Sequence, residues 1–330
     1  MGVVKSSVAA GVGHLVLDRP ETLNSLNGEM IRLMADALES WRDNDDVQLV
    51  LVTSAVRGAF CAGADVRVVY EFVQHGDTDE GLRFFAEEHA LNKLVAEYPK
   101  PYVSVLDAAA LGGGLGISVN GSVCIVTENA VLSVPETAIG VVPGVGSSYF
   151  LSRLPGSIGK FIGLTGARVS GPDAVALGLA THGIEASDVQ ALVDAITRGE
   201  ALEAVLDKYA KPVPESTLNT TDIDAAFSAP SVIEIVDRLD RGSPWSRLAM
   251  SQLLTLSPMS LVATDALIEL GSDSTLDECF ARELRLCEWM IGQPDFAEGV
   301  RALLIDKDRT PQWNPLVLEM VQPEVFQHLL

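Results

Sequence analysis

The chain has 330 residues, of which 48% are hydrophobic and 21% charged, and a formal net charge of −22. That length builds one or two domains, and the balance is that of a folded globular protein rather than a disordered one. So acidic a chain has no basic stripe to release counterions from phosphates, which excludes nucleic acid as a partner; a small anionic ligand needs only a few local Lys, Arg or backbone N–H groups and stays open.

The opening MGVVKSSVAAGVGHLVLDRP holds a broken apolar run with no cleavage-site pattern, so no secretory signal is expected, and its MGxxxS start with Ser6 reads as a chance match to the acylation pattern. No unbroken apolar run of about eighteen residues occurs, and no membrane span is expected. HLVLDRP predicts a strand ending in a turn. GEMIRLMADALESWRDN predicts a helix, with Met30, Leu33, Met34, Leu38 and Trp41 near helical spacing. VQLVLVTSA, PYVSVLDAA and VCIVTENAVLSV predict further strands, and the alternation points to an α/β core over residues 1–190. ALVDAITRGEALEAVLDKYA, SVIEIVDRLDRGSPWSRLAMSQLLTL and TLDECFARELRLCEWMIG read as helical, with KPVPESTLNTT as a connector. A mainly helical region is therefore expected over 191–330, without a solenoid repeat. Cys61, Cys124, Cys279 and Cys287 are far apart and show no C-x-x-C spacing. They read as reduced, buried small hydrophobes of a cytoplasmic protein, forming neither disulfides nor a metal site.

Three stretches carry candidate chemistry. AFCAGADVR (59–67) follows a strand and exposes the N–H groups of Ala62, Gly63 and Ala64, either as donors to a ligand oxygen or as an ordinary tight turn. ALGGGLGISVNG (110–121) opens a helix with three glycines, which suits an anion or a developing oxyanion, or simply close helix–strand packing. SVPETAIGVVPGVGSSYF (133–150) places Glu136 among apolar neighbours, where desolvation raises a carboxyl toward the range useful for proton transfer; the alternative is an acid in the first turn of a helix. GSIGKF is not a phosphate loop, and neither G-x-S-x-G nor H-E-x-x-H occurs. His14, His75, His89, His182 and His328 are scattered and read as structural.

Taken in order and spacing, LDRPETLNSL (17–26), AFCAGADVR, ALGGGLGIS and PETAIGVVPGVG resemble the crotonase (enoyl-CoA hydratase/isomerase) superfamily. The resemblance implies an α/β fold: a crotonase-like spiral of ββα units completed by the mainly helical C-terminal region. It also implies an oxyanion hole for the thioester carbonyl of an acyl-CoA, made by the N–H groups of Ala64 and Gly113. FFAEEHALNKLV (84–95), KPYVSVLDAAALGGGLGISV, the run 148–182 and DFAEGVRALLIDKDRTPQWNP (295–315) are similar to the 3-hydroxyisobutyryl-CoA hydrolase branch.

That branch implies thioester hydrolysis of 3-hydroxyisobutyryl-CoA or a related 3-hydroxyacyl-CoA, in valine breakdown. Coenzyme A is then part of the substrate, no separate cofactor or metal is implied, and a homo-oligomer (trimer, hexamer or dimer) is expected. Two positions depart from the pattern. Hydratases carry a second Glu where this chain has Gly116, and the hydrolase branch carries an Asp where it has Gly144. Glu136 is thus the expected catalytic acid. Glu88 falls where the branch has a substrate-contacting Glu, to orient a hydroxyl or supply the second acid, unless it is a solvated helix charge beside Glu87. Asp65 and Val66 flank the implied coenzyme A path, and Arg67 is either a phosphate contact or a solvated arginine. The alternative activities are an enoyl-CoA isomerase or weak hydratase, and a non-catalytic acyl-CoA binder.

Overall fold

A computed structural model describes residues 2–330; Met1, the first residue of the acylation-like start, lies outside the described residues. Among these, the strands are β1 (Val4–Ala9), β2 (Val12–Leu17), β3 (Leu49–Ser54), β4 (Ala59–Cys61), β5 (Tyr102–Leu106), β6 (Ala109–Leu111), β7 (Val123–Val126), β8 (Val131–Ser133), β9 (Val169–Ser170) and β10 (His182–Gly183). β1 and β2 form an antiparallel hairpin in which Val4 faces Leu17. Ala10 and Gly11 join them, both at positive φ (50° and 81°), the two-residue turn whose twist matches that of the strands.

One sheet runs β1-β2-β3-β5-β7-β10 and the other β4-β6-β8-β9. β2 pairs in parallel with β3, β3 with β5 and β5 with β7, and these strands are rich in buried Val, Leu and Ile, as a sheet covered on both faces requires. Three times the chain lays one strand in the larger sheet and the next in the smaller: β3 then β4, β5 then β6, β7 then β8. This is the ββα spiral that the resemblance implies, and the α/β reading holds.

Contacts within the chain group it into two units. The first comprises residues 1–64, 90–133 and 168–217 and holds both sheets. Its core sets Val12, Leu51, Val103, Val105 and Ile125 against Leu192, Ile196, Val205 and Leu206 of the helices Val189–Thr197 and Leu202–Tyr209. The second comprises residues 65–89, 134–167 and 218–330 and is helical. Its helices begin where the caps stand: Ser231, Ser243 and Ser257 each accept an N–H from the first turn, and Thr275 with Glu278 forms a capping box. No single helix among the described residues is long and apolar enough to cross a membrane. All four cysteines are free and buried.

Candidate active site

In the first unit, β4 and β6 are parallel neighbours with Cys61 beside Ala110, so the loops that follow them emerge side by side. Gly63 has a φ of 92°, and a Cβ there would stand 3.0 Å from the Leu111 carbonyl oxygen and 3.7 Å from the Gly113 nitrogen. Only glycine lets the two loops approach this closely. The Leu26 N–H donates to the Gly63 carbonyl at 2.7 Å and fixes the first loop from its other side. The loop hydrogen bonds among the described residues use neither the Ala64 nor the Gly113 N–H. Two donors predicted from separate stretches of sequence therefore sit on adjoining loops. The helix after Gly113 is only Gly113–Gly116, so the donor is a single amide rather than the end of a long dipole.

Gly116, also in this unit, lies under Asn92: a Cβ at 116 would come within 2.6 Å of Asn92 Oδ1. Asn92 is wholly buried and both its amide atoms lack a protein partner. The second hydratase carboxylate is thus absent, and its space is taken by a carboxamide.

The second unit gathers the carboxyl groups. Glu136 opens a short 3-10 turn, Glu136–Ile139, pinned by the Thr137 hydroxyl donating to the Leu164 carbonyl at 3.1 Å. Its Oε2 is sealed from solvent without a partner. Desolvation pushes the carboxyl up to about 8, and the charges of Glu88 and Glu283 add to the rise. The solvated-charge reading of Glu88 is overturned: on the helix Thr78–Ala96 it is 2% exposed, its Oε1 is unpartnered, and burial raises it to about 8 as well.

Gly144 faces His89, the next residue on that helix: a Cβ at 144 would stand 3.2 Å from the ring's Cε1 and 3.3 Å from Nε2. His89 Nδ1 lies 2.8 Å from the Phe85 carbonyl oxygen, which can only accept, so Nδ1 carries the hydrogen. Nε2 is then a bare lone pair, buried and without a partner. Burial lowers the ring's pKa to about 4 and keeps it neutral.

Glu283 holds the turn just after Gly144. It accepts from the Gly146 N–H at 2.7 Å, the Ser148 N–H at 2.7 Å and the Ser148 hydroxyl at 2.6 Å. Desolvation outweighs these bonds and leaves its carboxyl near 7. Sequence reasoning read His89 as structural and passed over Glu283, although a signal existed. Each is a polar residue on the apolar stripe of its helix, beside Phe84 and Phe85 in one case and Cys279, Phe280, Leu286 and Cys287 in the other.

The remaining candidates stand at the head of one helix. Asp65 is buried just before Val66–Gln74, Val66 is half-buried, and Arg67 is exposed with no ion pair among the described residues.

The family model described as enoyl-CoA hydratase/isomerase matches residues 12–330. The chain is 39% identical over 326 residues to the Xenopus tropicalis protein named 3-hydroxyisobutyryl-CoA hydrolase, mitochondrial, covering 95% of this chain and 84% of that one. It is 38% identical over 335 residues to 3-hydroxyisobutyryl-CoA hydrolase 1 of Arabidopsis thaliana, covering 96% and 88%. The crystal structure of a carnitinyl-CoA dehydratase from Mycobacterium thermoresistibile aligns with a TM-score of 0.94 at 33% identity, over 99% of this chain and 96% of that one. The Xenopus tropicalis relative and those of Danio rerio and Gallus gallus are named as mitochondrial, which overturns the cytoplasmic expectation. Reduced, buried cysteines suit any reducing compartment and could not have decided between the two. Matched over nearly its whole length, the chain belongs to the enoyl-CoA hydratase/isomerase, or crotonase, family.

Proposed function

We propose that the protein hydrolyses the thioester of 3-hydroxyisobutyryl-CoA or a related 3-hydroxyacyl-CoA. The observation that carries this reading is the 39% identity, over 95% of the chain, to a relative named for that reaction. Chemistry favours it over hydration. Adding water across a double bond needs a base for the water and an acid for the α-carbon, and Asn92 fills the room a carboxylate at 116 would need. Thioester hydrolysis asks for less, because a thiol of pKa about 8.5, by analogy with cysteine, leaves with little acid assistance.

In this reading the thioester oxygen is held by the N–H groups of Ala64 and Gly113, which stabilise the oxyanion as it forms. Glu136 attacks the carbonyl or activates water. The buried Glu88 carboxyl, protonated near neutral pH, donates to the substrate's 3-hydroxyl, and Arg67 meets the coenzyme A phosphates. Coenzyme A is part of the substrate.

The test is thiol release from a panel of acyl-CoA thioesters by wild type and Glu136→Gln. The variant is expected to lose at least about a hundredfold in rate; equal release by both removes Glu136 from the reaction. A second reading, hydratase or isomerase, draws on the 33% identity to a carnitinyl-CoA dehydratase, and absorbance change at the enoyl band without thiol release supports it.

A further inference from the structure

We propose that His89 is a second catalytic residue of this enzyme, its Nε2 accepting the proton of the attacking water. The proposal rests on the hydrolase reading above and completes it.

Most buried side-chain polar atoms find a hydrogen-bond partner. His89, 5% exposed, satisfies one ring nitrogen: Nδ1 donates to Phe85 and Nε2 meets no protein donor. Leaving a buried acceptor unmet is costly, and the fold has not removed that cost. The ring is held from two further sides. Phe280 packs against it edge-on with centroids 6.2 Å apart, and Gly144 lies under the Cε1–Nε2 edge. Any side chain at 144 would crowd that edge, which glycine leaves uncrowded though sealed from solvent.

The same helical unit holds two more unmet atoms. Glu88 Oε1, on the neighbouring residue, and Glu136 Oε2 are likewise sealed and unpartnered, and the charge of Glu88 reaches Glu136. A molecule that can both donate and accept, as water or a substrate hydroxyl can, complements two carboxyl groups and one bare imidazole nitrogen. The other histidines offer no such arrangement: His14 and His182 bond to threonine hydroxyls, and His75 and His328 are exposed.

The step balances as follows. Glu136 first gives its proton to solvent; the carboxylate so formed bonds to the acyl carbon, and the C–S bond breaks with its electron pair leaving on sulfur, which gives a mixed anhydride and coenzyme A thiolate. Water oxygen then bonds to the acyl carbon as its O–H proton passes to His89 Nε2, and the anhydride C–O bond breaks to return the Glu136 carboxylate. The imidazolium gives its proton to the thiolate. The products are the free acid and the free thiol, and both residues are restored.

The test uses the full chain with 3-hydroxyisobutyryl-CoA, following free thiol by stopped flow. His89→Gln keeps size and polarity but cannot hold the proton. It is expected to release one thiol per active site in a burst and then turn over at least about a hundredfold more slowly than wild type, while KM changes by less than about threefold. Mass spectrometry of the quenched variant should show an acyl adduct on Glu136. Should His89→Gln melt well below wild type, the double variant His89→Asn with Gly144→Asp is read instead. That pair returns an acid to the space the ring vacates and should exceed His89→Asn alone in rate. Turnover by His89→Gln within threefold of wild type, or no gain from the double variant, overturns the role of His89 and leaves the hydrolase reading standing. Wild type that releases no thiol overturns both.

Discussion

Glu88 and Glu136 keep protons that an unfolded chain gives up. Burial raises each to about 8 from the ordinary carboxyl value of 4.5. Between those two values the folded chain binds more protons than the unfolded one, so the contribution of each group is fully present below about 4.5 and is lost as pH rises through about 8. The slope is ~1.4 kcal/mol per pH unit for each group across that window. Glu88→Gln removes one such group without changing shape. Urea unfolding should find the variant and wild type alike at pH 5 and the variant more stable at pH 8.5, by about 2 kcal/mol or more. A gap that does not open with pH would show that Glu88 keeps its charge when folded. The residue itself was legible by resemblance, but its burial was not, because Glu87 and Glu88 look alike in sequence and only the packed face of the helix separates them.

At the scale of elements, the helix Leu276–Ile291 secures a turn that lies some 135 residues before it, through one carboxylate. Val145 and Gly146, at φ of 62° and 82°, occupy left-handed backbone in that turn, a conformation costly for valine and in need of outside support. Glu283 gives it by accepting from Gly146 and twice from Ser148. Glu283→Ala leaves three donors unmet in a buried place, and at about 1–3 kcal/mol for each the expected loss is ~3 kcal/mol or more in urea unfolding at pH 7. Glu283→Gln keeps one accepting oxygen and should lose less. Equal losses would mean that the carboxylate's volume, not its hydrogen bonds, holds the turn. Helical periodicity made this helix readable in advance. The object of Glu283 was unreadable, since nothing local in TLDECFARELRLCEWMIG names Ser148 as its partner.

For the whole molecule, the order of four short motifs was enough to anticipate the ββα spiral, because each follows a strand and three of them carry glycines that allow close backbone approach. What escaped are pairings between distant stretches that depend on three-dimensional packing: His89 with Gly144, Asn92 with Gly116, Glu283 with Ser148. Charge, by contrast, is additive and can be reasoned about from the sequence. At −22 the protein repels a polyanionic acyl-CoA at long range, and Arg67 can attract it only nearby. The screening length falls from about 30 Å at 0.01 M salt to about 8 Å at 0.15 M. Over that range kcat/KM for acyl-CoA thiol release is therefore expected to rise severalfold while kcat stays constant. An uncharged thioester with the same acyl group and a short thiol should show no such dependence. If kcat/KM for the coenzyme A ester instead falls as salt is added, cations at the binding site outweigh the net field, and Arg67→Ala should then abolish the fall.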